Sequence, residues 1–333
     1  PTPPGIAGQT VAEYAQGHHP NLHSLPEPAT SGDDFAQPEK QLHSPKDTSG
    51  KETRTIGIPA TEDKLLQRAV AMILEPIYEQ DFLDCSYGYR PGRSAHDALD
   101  VLWRRCMGLK VQYILKLDIR KFFDMLDRAH LREFLQYRVR DGVITRLIGK
   151  WLNAGVMEQG ALHLPEHGTP QGGSISPVLS NIYLHHVLDQ WFEDEVKPRM
   201  KGRAFMVRFA DDAVLGFTSK EDAEKVLVVL SKRFARFGLS LHTEKTRLMP
   251  FGRPGKDDRK GPATFDFLGF AHYWGKSRKG NWVIKRKTSR DRLNRSLKRI
   301  AKWCRLNRHK PVELQRHRLV LIFPVERTEP SDV

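Results

Sequence analysis

Apolar residues recur three and four positions apart in several stretches after residue 54, which is the spacing of an amphipathic helix. The first stretch is "EDKLLQRAVAMILEPIYEQ", residues 62–80, and its apolar stripe consists of Leu65, Leu66, Ala69, Ile73 and Ile77. Further helices are predicted over 127–139, 141–155 and 221–237. Folded structure is therefore expected to begin near residue 54.

Shorter apolar runs are typical of strands. Such runs are "QYILKL" at 112–117, "AFMVRF" at 204–209 and "AVLGF" at 213–217, and "ATFDFLGFAHYW" at 263–274 alternates as one strand does. Strands and helices follow each other without a regular βαβ period. This order favours an α+β fold.

A Gly-rich loop leads into a further predicted helix in "GTPQGGSISPVLSNIYLHHVLD", residues 168–189. Ser174 or Ser176 is expected to cap that helix, with Pro177 in its first turn. Glycines let backbone approach a ligand closely, so the loop is either a nucleotide contact or a plain loop before a helix.

Residues 1–50 lack this patterning. They contain eight prolines and few large apolar residues. Such a composition cannot bury enough apolar surface to offset the entropy lost on ordering the chain. The segment is therefore predicted to be mostly disordered.

Membrane and disulfide-stabilised classes are disfavoured by the sequence. The longest apolar runs, such as "VLVVL" at 226–230, are far shorter than the roughly 18 residues of a membrane span. No basic-then-apolar export segment is present. Cys85, Cys106 and Cys304 form no CxxC pair and are expected to be ordinary thiols. A cytoplasmic protein with no membrane partner is expected.

Positive charge is concentrated in one segment. Lys plus Arg exceeds Asp plus Glu by 54 minus 40, or +14. Residues 276–310 hold fifteen Lys or Arg against one acid, Asp291, so this segment alone carries +14. A charge run is often only a solvated face. The interleaved Trp282 and Trp303 favour a folded surface that binds a polyanion.

Two adjacent aspartates, Asp211 and Asp212, lie between apolar runs in "VRFADDAVLGF", residues 207–217. The pattern places them at the tip of a hairpin. Asp is common in turns because it tolerates turn geometry. A pair of carboxylates is repulsive unless the two share a cation, which a divalent metal would supply.

A second apolar strand also ends at an aspartate, Asp118 in "YILKLD". Two acidic strand ends suggest one shared site. Asp118 and Asp211 could bridge two Mg²⁺ ions about 3.5 to 4 Å apart, an arrangement suited to in-line phosphoryl displacement.

Seven motifs occur in an order that resembles the group II intron type of reverse transcriptase. They are "TRTIGIP", "CSYGYRPGRSAHDAL", "LKLDIRKFFD", "GTPQGGSISPVLSNIYL", "VRFADD", "GLSLHTEKT" and "FDFLGF". The resemblance covers roughly residues 51–310. It implies a right-hand polymerase of α+β fold with fingers, a palm built on an antiparallel sheet and a partial thumb.

The implied domains are fingers in part at 51–110, a palm with inserted helices at 111–275 and the basic start of a thumb at 276–310. Residues 1–50 and 311–333 are divergent, and the family's remaining thumb helices are not found. Leu293, Leu297, Ile300 and Cys304 would form one stripe of the thumb helix. With fingers and thumb cut short, binding of the duplex and processivity are expected to be weak.

The resemblance also implies roles for single residues. Asp118, Asp211 and Asp212 match the catalytic, metal-binding aspartates, with "FADD" in place of the family's "YADD". Phe123 resembles the aromatic that blocks a ribose 2′-OH; the alternative is a core phenylalanine beside Phe122, since Phe is usually a core residue. The remaining nucleotide-binding candidates are Arg54, Gln171, Gly172 and Lys245.

Contacts with nucleic acid are implied at further positions. Phe267, Leu268 and Gly269 resemble the primer grip that holds the primer 3′ end. The basic candidates for nucleic-acid binding are Arg90, Arg93, Lys285, Arg286, Lys287 and Arg290. Arginines beside tyrosines in "SYGYRPGR" can hold a phosphate backbone, although surface arginines near a turn are common.

The implied activity is RNA-directed DNA synthesis from dNTPs on an RNA template, starting from a DNA or RNA primer. It would use two Mg²⁺ ions, for which Mn²⁺ can substitute. Two alternatives remain open: an RNA-binding splicing cofactor of the maturase type that binds group II intron RNA, and an inactive truncated remnant of such an enzyme.

Overall fold

The computed structural model describes residues 39–45, 53–154, 156–158, 161–163, 173–255 and 263–322. The strands are β1 (Glu39–Pro45), β2 (Thr53–Ile58), β3 (Tyr113–Leu117), β4 (Val156–Glu158), β5 (Ala161–His163), β6 (Ala204–Phe209), β7 (Asp212–Phe217), β8 (Arg247–Pro250), β9 (Phe265–Phe267), β10 (Phe270–Lys276) and β11 (Trp282–Thr288). The α-helices are α1 (Thr61–Glu79), α2 (Ala95–Gly108), α3 (Phe122–Met125), α4 (Arg128–Gln136), α5 (Gly142–Asn153), α6 (Ser176–Leu184), α7 (Lys220–Arg236), α8 (Arg290–Asn307) and α9 (Val312–Ile322).

The central sheet has the strand order β6-β7-β3-β8 and is antiparallel throughout. Its side chains alternate between two hydrophobic clusters, as the period of two in a strand requires. Leu115 and Leu215 belong to one cluster, whereas Ile114 and Val214 belong to the other. The sheet is therefore covered on both faces, and the predicted combination of helices with antiparallel strands is confirmed.

Three helices pack on the face of the central sheet that holds Leu115. Helix α4 supplies Leu131 and Phe134, α6 supplies Leu179 and Ile182, and α7 supplies Leu230 among others. Helix α6 continues into two π-helical segments, His185–Asp189 and Trp191–Val196. A π-helix is rare and often marks a functional site, because it changes which side chains face the core.

The helix predicted for α1 is confirmed, but its apolar stripe is only partly correct, because Leu66 and Ile77 pack against the core whereas other members of the stripe do not. Leu65 is 39% exposed and Ile73 is 49% exposed. The buried side of α1 instead consists of Thr61, Gln67, Val70, Ala71, Leu74 and Tyr78. The helix has apolar residues on more than one side, so packing against the core decides which side is buried.

Three other local predictions are corrected. Strand β1 lies inside the segment predicted to be disordered and pairs with β2, while residues 1–38 and 46–50 lie outside the described part. Helix α6 has Ile175 as its N-cap without a side-chain cap bond, so neither serine caps it, whereas Pro177 does lie in the first turn. The single strand predicted at 263–274 is two strands, β9 and β10, paired as a hairpin.

The three cysteines are free thiols, as expected. Among the described residues, no helix is long and apolar enough to cross a membrane.

Candidate active site

A two-residue turn joins β6 to β7 and carries the first aspartate of the pair. Phe209 pairs with Asp212, which leaves Ala210 and Asp211 as the turn. Ala210 has φ of 55°, in the left-handed region that alanine seldom adopts. The predicted hairpin is confirmed, and its tip holds a strained backbone that neighbouring residues must stabilise.

Asp118 lies beside this turn because β3 and β7 are neighbours. Leu117 of β3 pairs with Ala213 of β7. Continuing this register by one residue places Asp118 beside Asp212. The backbone of Asp118 is fixed by the amide of His242, which donates to its carbonyl at 2.8 Å, and by the hydroxyl of Thr246 at 3.3 Å. The sheet thus brings the two acidic strand ends together.

The donor chemistry of this edge suits a divalent cation. Asp118, Asp211 and Asp212 are half-buried. In the described part of the chain, no group of three or more His, Cys, Asp or Glu side chains is arranged to hold a metal ion. Mg²⁺ does not require such a cage, since it is commonly held by one or two carboxylates together with substrate phosphates and water. The chemistry of these carboxylates therefore fits a divalent cation.

A buried arginine lies directly behind the turn. The side chain of Arg208 is 0% exposed and forms an ion pair with Asp189, which is also 0% exposed. Its Nη1 donates to the carbonyl of Ala210 at 2.9 Å and to Oδ1 of Asn181 at 3.0 Å, and its Nη2 donates to Oγ of Ser86 at 2.8 Å. We call these five residues the Arg208 network. It joins the turn to the π-helical segment and to the loop before α2.

The charge of Arg208 is retained despite its burial. Burial is the largest single influence and by itself would lower the pKa of this guanidinium, but the charge and hydrogen bonds of Asp189 and the weaker effects of its other neighbours together outweigh it, so the pKa of Arg208 is raised. Asp211 also contributes to that rise. The guanidinium is thus a fixed positive charge close enough to interact with the aspartate of the turn.

Gly88 packs its backbone against the same turn. A Cβ at position 88 would lie within 3.0 Å of the carbonyl carbon of Phe209 and clash with the backbone nitrogen of Ala210. The carbonyl of Gly88 accepts a hydrogen bond of 2.8 Å from Nδ2 of Asn181. Glycine is therefore required here by close approach of two backbones.

Arg90 is corrected from a predicted nucleic-acid contact to a structural residue. Its side chain is 2% exposed and pairs with Glu79. Its guanidinium also donates to the carbonyls of Leu83, Ser86 and Phe82. All of these bonds hold the loop between α1 and α2, so its charge is not presented to a ligand.

The Arg90→Met variant is expected to lose about 2 kcal/mol of unfolding free energy, because several buried carbonyls lose a charged donor. The salt dependence of RNA binding should stay at the wild-type value. Lys287→Met, which removes an exposed positive charge, is the matched comparison. It should make the slope of log binding constant against log salt concentration less steep by about 1. A reduced slope in Arg90→Met would restore the original prediction for Arg90.

The other basic candidates are more accessible. Arg93 is 25% exposed, pairs with Asp84 and lies over the ring of Tyr87. The remaining candidates are exposed on β11 and at the start of α8, and they are Lys285, Arg286, Lys287 and Arg290. Their role in binding nucleic acid stays a prediction.

The predicted primer grip forms the tip of the β9–β10 hairpin. Leu268 has φ of 50° and Gly269 has φ of 82°, so both turn residues are left-handed. This is the geometry of a type I′ turn. The amide of Ser289 donates to the carbonyl of Gly269 at 3.0 Å, which ties the tip to the start of α8.

The nucleotide-binding candidates differ in how much of each residue the structure describes. Phe123 follows the buried Phe122 and is itself half-buried, and the centroids of the two rings are 5.3 Å apart. Lys245 is exposed in the turn that fixes Asp118. Arg54 lies on β2, and only its backbone is described. Gln171 and Gly172 lie outside the described residues.

Sequence reasoning missed the Arg208 network. A signal was present: Arg208 is the one charged residue of the strand "AFMVRF" and lies three residues before Asp211. Asp189 and Asn181 lie in stretches that resemble ordinary helix. Their partnership with Arg208 is visible only after folding.

Comparison with protein families gives one match that covers most of the chain. Residues 44–272 match the family described as "Reverse transcriptase (RNA-dependent DNA polymerase)". This range includes all three aspartates, strand β9 and the first three residues of β10.

Curated relatives include two bacterial proteins and one plant protein. The chain is 41% identical over 153 residues to "Group II intron-encoded protein LtrA" of Lactococcus lactis subsp. cremoris, which is 46% of this chain and 25% of that protein. It is 33% identical over 194 residues to "Protein YkfC" of Escherichia coli K12, covering 57% of this chain and 50% of that protein. It is 30% identical over 176 residues to "Nuclear intron maturase 2, mitochondrial" of Arabidopsis thaliana, covering 41% of this chain and 24% of that protein. The chain thus spans a quarter to a half of these relatives.

Solved structures of similar fold include telomerases. Telomerase of Candida albicans, in complex with a TWJ fragment of telomeric RNA, superposes with a TM-score of 0.54 at 17% identity, covering 78% of this chain and 48% of that chain. Apo telomerase of Candida tropicalis truncated from its C-terminal domain gives 0.55 at 16% identity, covering 75% and 55%. At such low identity, these two similarities show the fold alone.

Proposed function

The chain belongs to the reverse transcriptase family, in its group II intron type, and from this premise we propose that it is an RNA-directed DNA polymerase. It would add deoxynucleotides to a primer 3′-OH on an RNA template. The observation that carries the proposal is the position of Asp118 beside the turn of Asp211 and Asp212. The β3–β7 pairing supports the proposal, because it brings the strand ends that carry these aspartates to one edge of the central sheet.

A divalent cation is implied by the family, and Mg²⁺ is our specific proposal. Asp118, Asp211 and Asp212 would hold it. When bound, the cation would stabilise negative charge at the transferring phosphoryl group. Without it, these carboxylates would repel the triphosphate.

The chain's own residues then position the reactants, which is the larger part of phosphoryl-transfer catalysis. The tip of the β9–β10 hairpin would hold the primer end. Phe123 would close the space beside the ribose. The basic candidates on β11 and α8 would bind the phosphate backbone, which contributes most of the salt-sensitive affinity.

A splicing role is the second candidate, favoured by one observation. Helix α8 has no buried residue, and it presents many basic side chains together with the exposed Leu293 and Leu297. Such a surface suits structured RNA as well as a primer duplex. The two functions are compatible. In a protein that bound RNA without catalysing a reaction, however, three aspartates at one edge of the sheet would repel the RNA backbone.

The direct test is extension of an oligo(dT) primer on poly(rA) with dTTP and Mg²⁺, beside the same reaction with EDTA. We expect extension that requires the cation. A folded protein that binds the primer-template without extending it in either Mg²⁺ or Mn²⁺ would contradict the polymerase and favour the RNA-binding alternative.

Phe123→Ala is expected to relax sugar selection. If Phe123 blocks the 2′-OH, removing the ring should raise rUTP incorporation relative to dTTP by roughly 10–200-fold. Steady-state kcat/KM for both nucleotides measures this ratio. Phe122→Leu is the matched control, since Phe122 is buried in the core, and it should leave the ratio unchanged. An unchanged ratio in Phe123→Ala would assign this ring to the core instead.

A further inference from the structure

Burying the charged side chain of Arg208 carries a large desolvation cost, and the stability of the fold alone does not explain why this residue is buried. Two charges removed from water seldom gain more than apolar side chains of similar volume would. Both side chains of the Arg208–Asp189 pair are fully buried, and the other buried side chains of the strand that carries Arg208 are apolar or aromatic. A buried pair of this kind can be retained because it fixes one arrangement of the chain.

The arrangement that Arg208 fixes is that of the turn. Its Nη1 bonds the carbonyl of Ala210, the residue with left-handed φ immediately before Asp211. The alternative for that carbonyl in a buried setting is an unsatisfied acceptor. The guanidinium therefore stabilises the left-handed conformation of the residue that precedes Asp211 in the turn.

Arg208 also holds the elements around the turn in register. Its amide donates to the carbonyl of Cys85 at 2.7 Å, and its own carbonyl accepts from the amide of Tyr87 at 2.9 Å. The side chain bonds Ser86 between them. Asn181 completes the ring, since it accepts from Arg208 and donates to Gly88. The loop before α2 is thereby locked against the turn.

We propose that Arg208 is a positioning residue for catalysis, which sets the geometry of the Asp211 turn through the Ala210 carbonyl and the bonds to Ser86 and Asn181. The inference rests on the proposed polymerase function, because it assigns a task to the same site. Arg208 itself does not touch the substrate in this account.

The test compares Arg208→Lys with Arg233→Lys. Lysine keeps the charge beside Asp189 but cannot maintain several planar bonds at once. Arg233 is a matched control, because it also donates to two backbone carbonyls, those of Val187 and His186, both at 3.2 Å, and lies on α7 away from the turn. We expect kcat for primer extension to fall roughly 10²-fold in Arg208→Lys. KM for dTTP and the Kd for primer-template should stay within about twofold of wild type, and Arg233→Lys should change none of these.

A second variant separates positioning from stability. Arg208→Met combined with Asp189→Leu replaces the buried pair with apolar side chains, which commonly preserves stability. We expect a melting temperature near that of wild type and the same loss of kcat. A folded double variant with wild-type kcat would overturn the proposal. If Arg208→Lys and the double variant both fail to fold while Arg233→Lys folds, the network serves the fold itself, and the proposal is also wrong.

Hydrogen exchange gives a readout that does not depend on activity. Amides of residues 209–213 should exchange faster in Arg208→Lys than in wild type, and at the wild-type rate in Arg233→Lys. If the wild-type protein extends no primer, the polymerase proposal fails, and this exchange experiment still decides whether Arg208 holds the turn. Equal exchange in both variants would overturn the positioning role.

Discussion

Asp211→Asn is expected to lower primer extension by at least about 10³-fold, the largest effect of any single substitution considered for this chain. The amide keeps the size of the carboxylate but lacks its charge, and it replaces one acceptor oxygen with a donor NH₂ group. Attraction for a divalent cation at the hairpin tip is then lost. Asp118→Asn should have a similar effect, because β3 places that carboxylate at the same edge.

The measurement is the extension rate on poly(rA)·oligo(dT) at several Mg²⁺ concentrations, with melting temperature measured in parallel. Asp212→Asn should be less severe than Asp211→Asn, because the resemblance to group II intron type reverse transcriptases implies that Asp211 is the stronger metal ligand of the pair. Asp194→Asn is the control, because Asp194 is exposed on the second π-helical segment. Near-normal extension by Asp211→Asn would remove this aspartate from the catalytic set.

Gly88→Ala is expected to reduce extension by roughly 10²-fold and to lower the unfolding free energy by about 1–3 kcal/mol. The added methyl would clash with the backbone nitrogen of Ala210 and lie 3.0 Å from the carbonyl carbon of Phe209. Backbone atoms cannot move aside as a flexible side chain can. The turn or the loop must therefore shift, and Asp211 would shift with it.

Gly92→Ala is the control in the same loop. Gly92 has φ of 69° and open space around its Cβ position. Backbone strain alone should lower the unfolding free energy of Gly92→Ala by roughly 1–2 kcal/mol, and kcat should not fall. If Gly88→Ala and Gly92→Ala lose equal stability and both retain wild-type kcat, the contact between Gly88 and the turn has no catalytic consequence.

Most elements could be predicted from local pattern because their side chains repeat at the period of a helix or a strand. The hairpin at Asp211 is one case, since apolar strands flank a short polar turn. The hairpin of β9 and β10 was missed because the turn residues Leu268 and Gly269 continue the apolar alternation. No polar break marks the chain reversal there.

The buried face of α1 and the role of Arg90 were mistaken for a related reason. Leu65 and Ile73 are apolar, but burial depends on which side meets the core. Arg90 is charged, but Glu79 and the carbonyls around it make its burial possible. Residue type describes a side chain's preference, and the surrounding fold decides whether that preference is met.

The sequence by itself determined the family, the order of the elements and the identity of the three aspartates. These properties depend on residue type and on spacing along the chain. Only the tertiary structure decided that Asp118 lies beside the Asp211 turn, that Gly88 packs against it and that Arg208, Asp189 and Asn181 meet behind it. Residues 86 and 208 are bonded across 122 positions of sequence, and no local pattern specifies such a contact. The register of the β-sheet and the packing of helix on sheet create it.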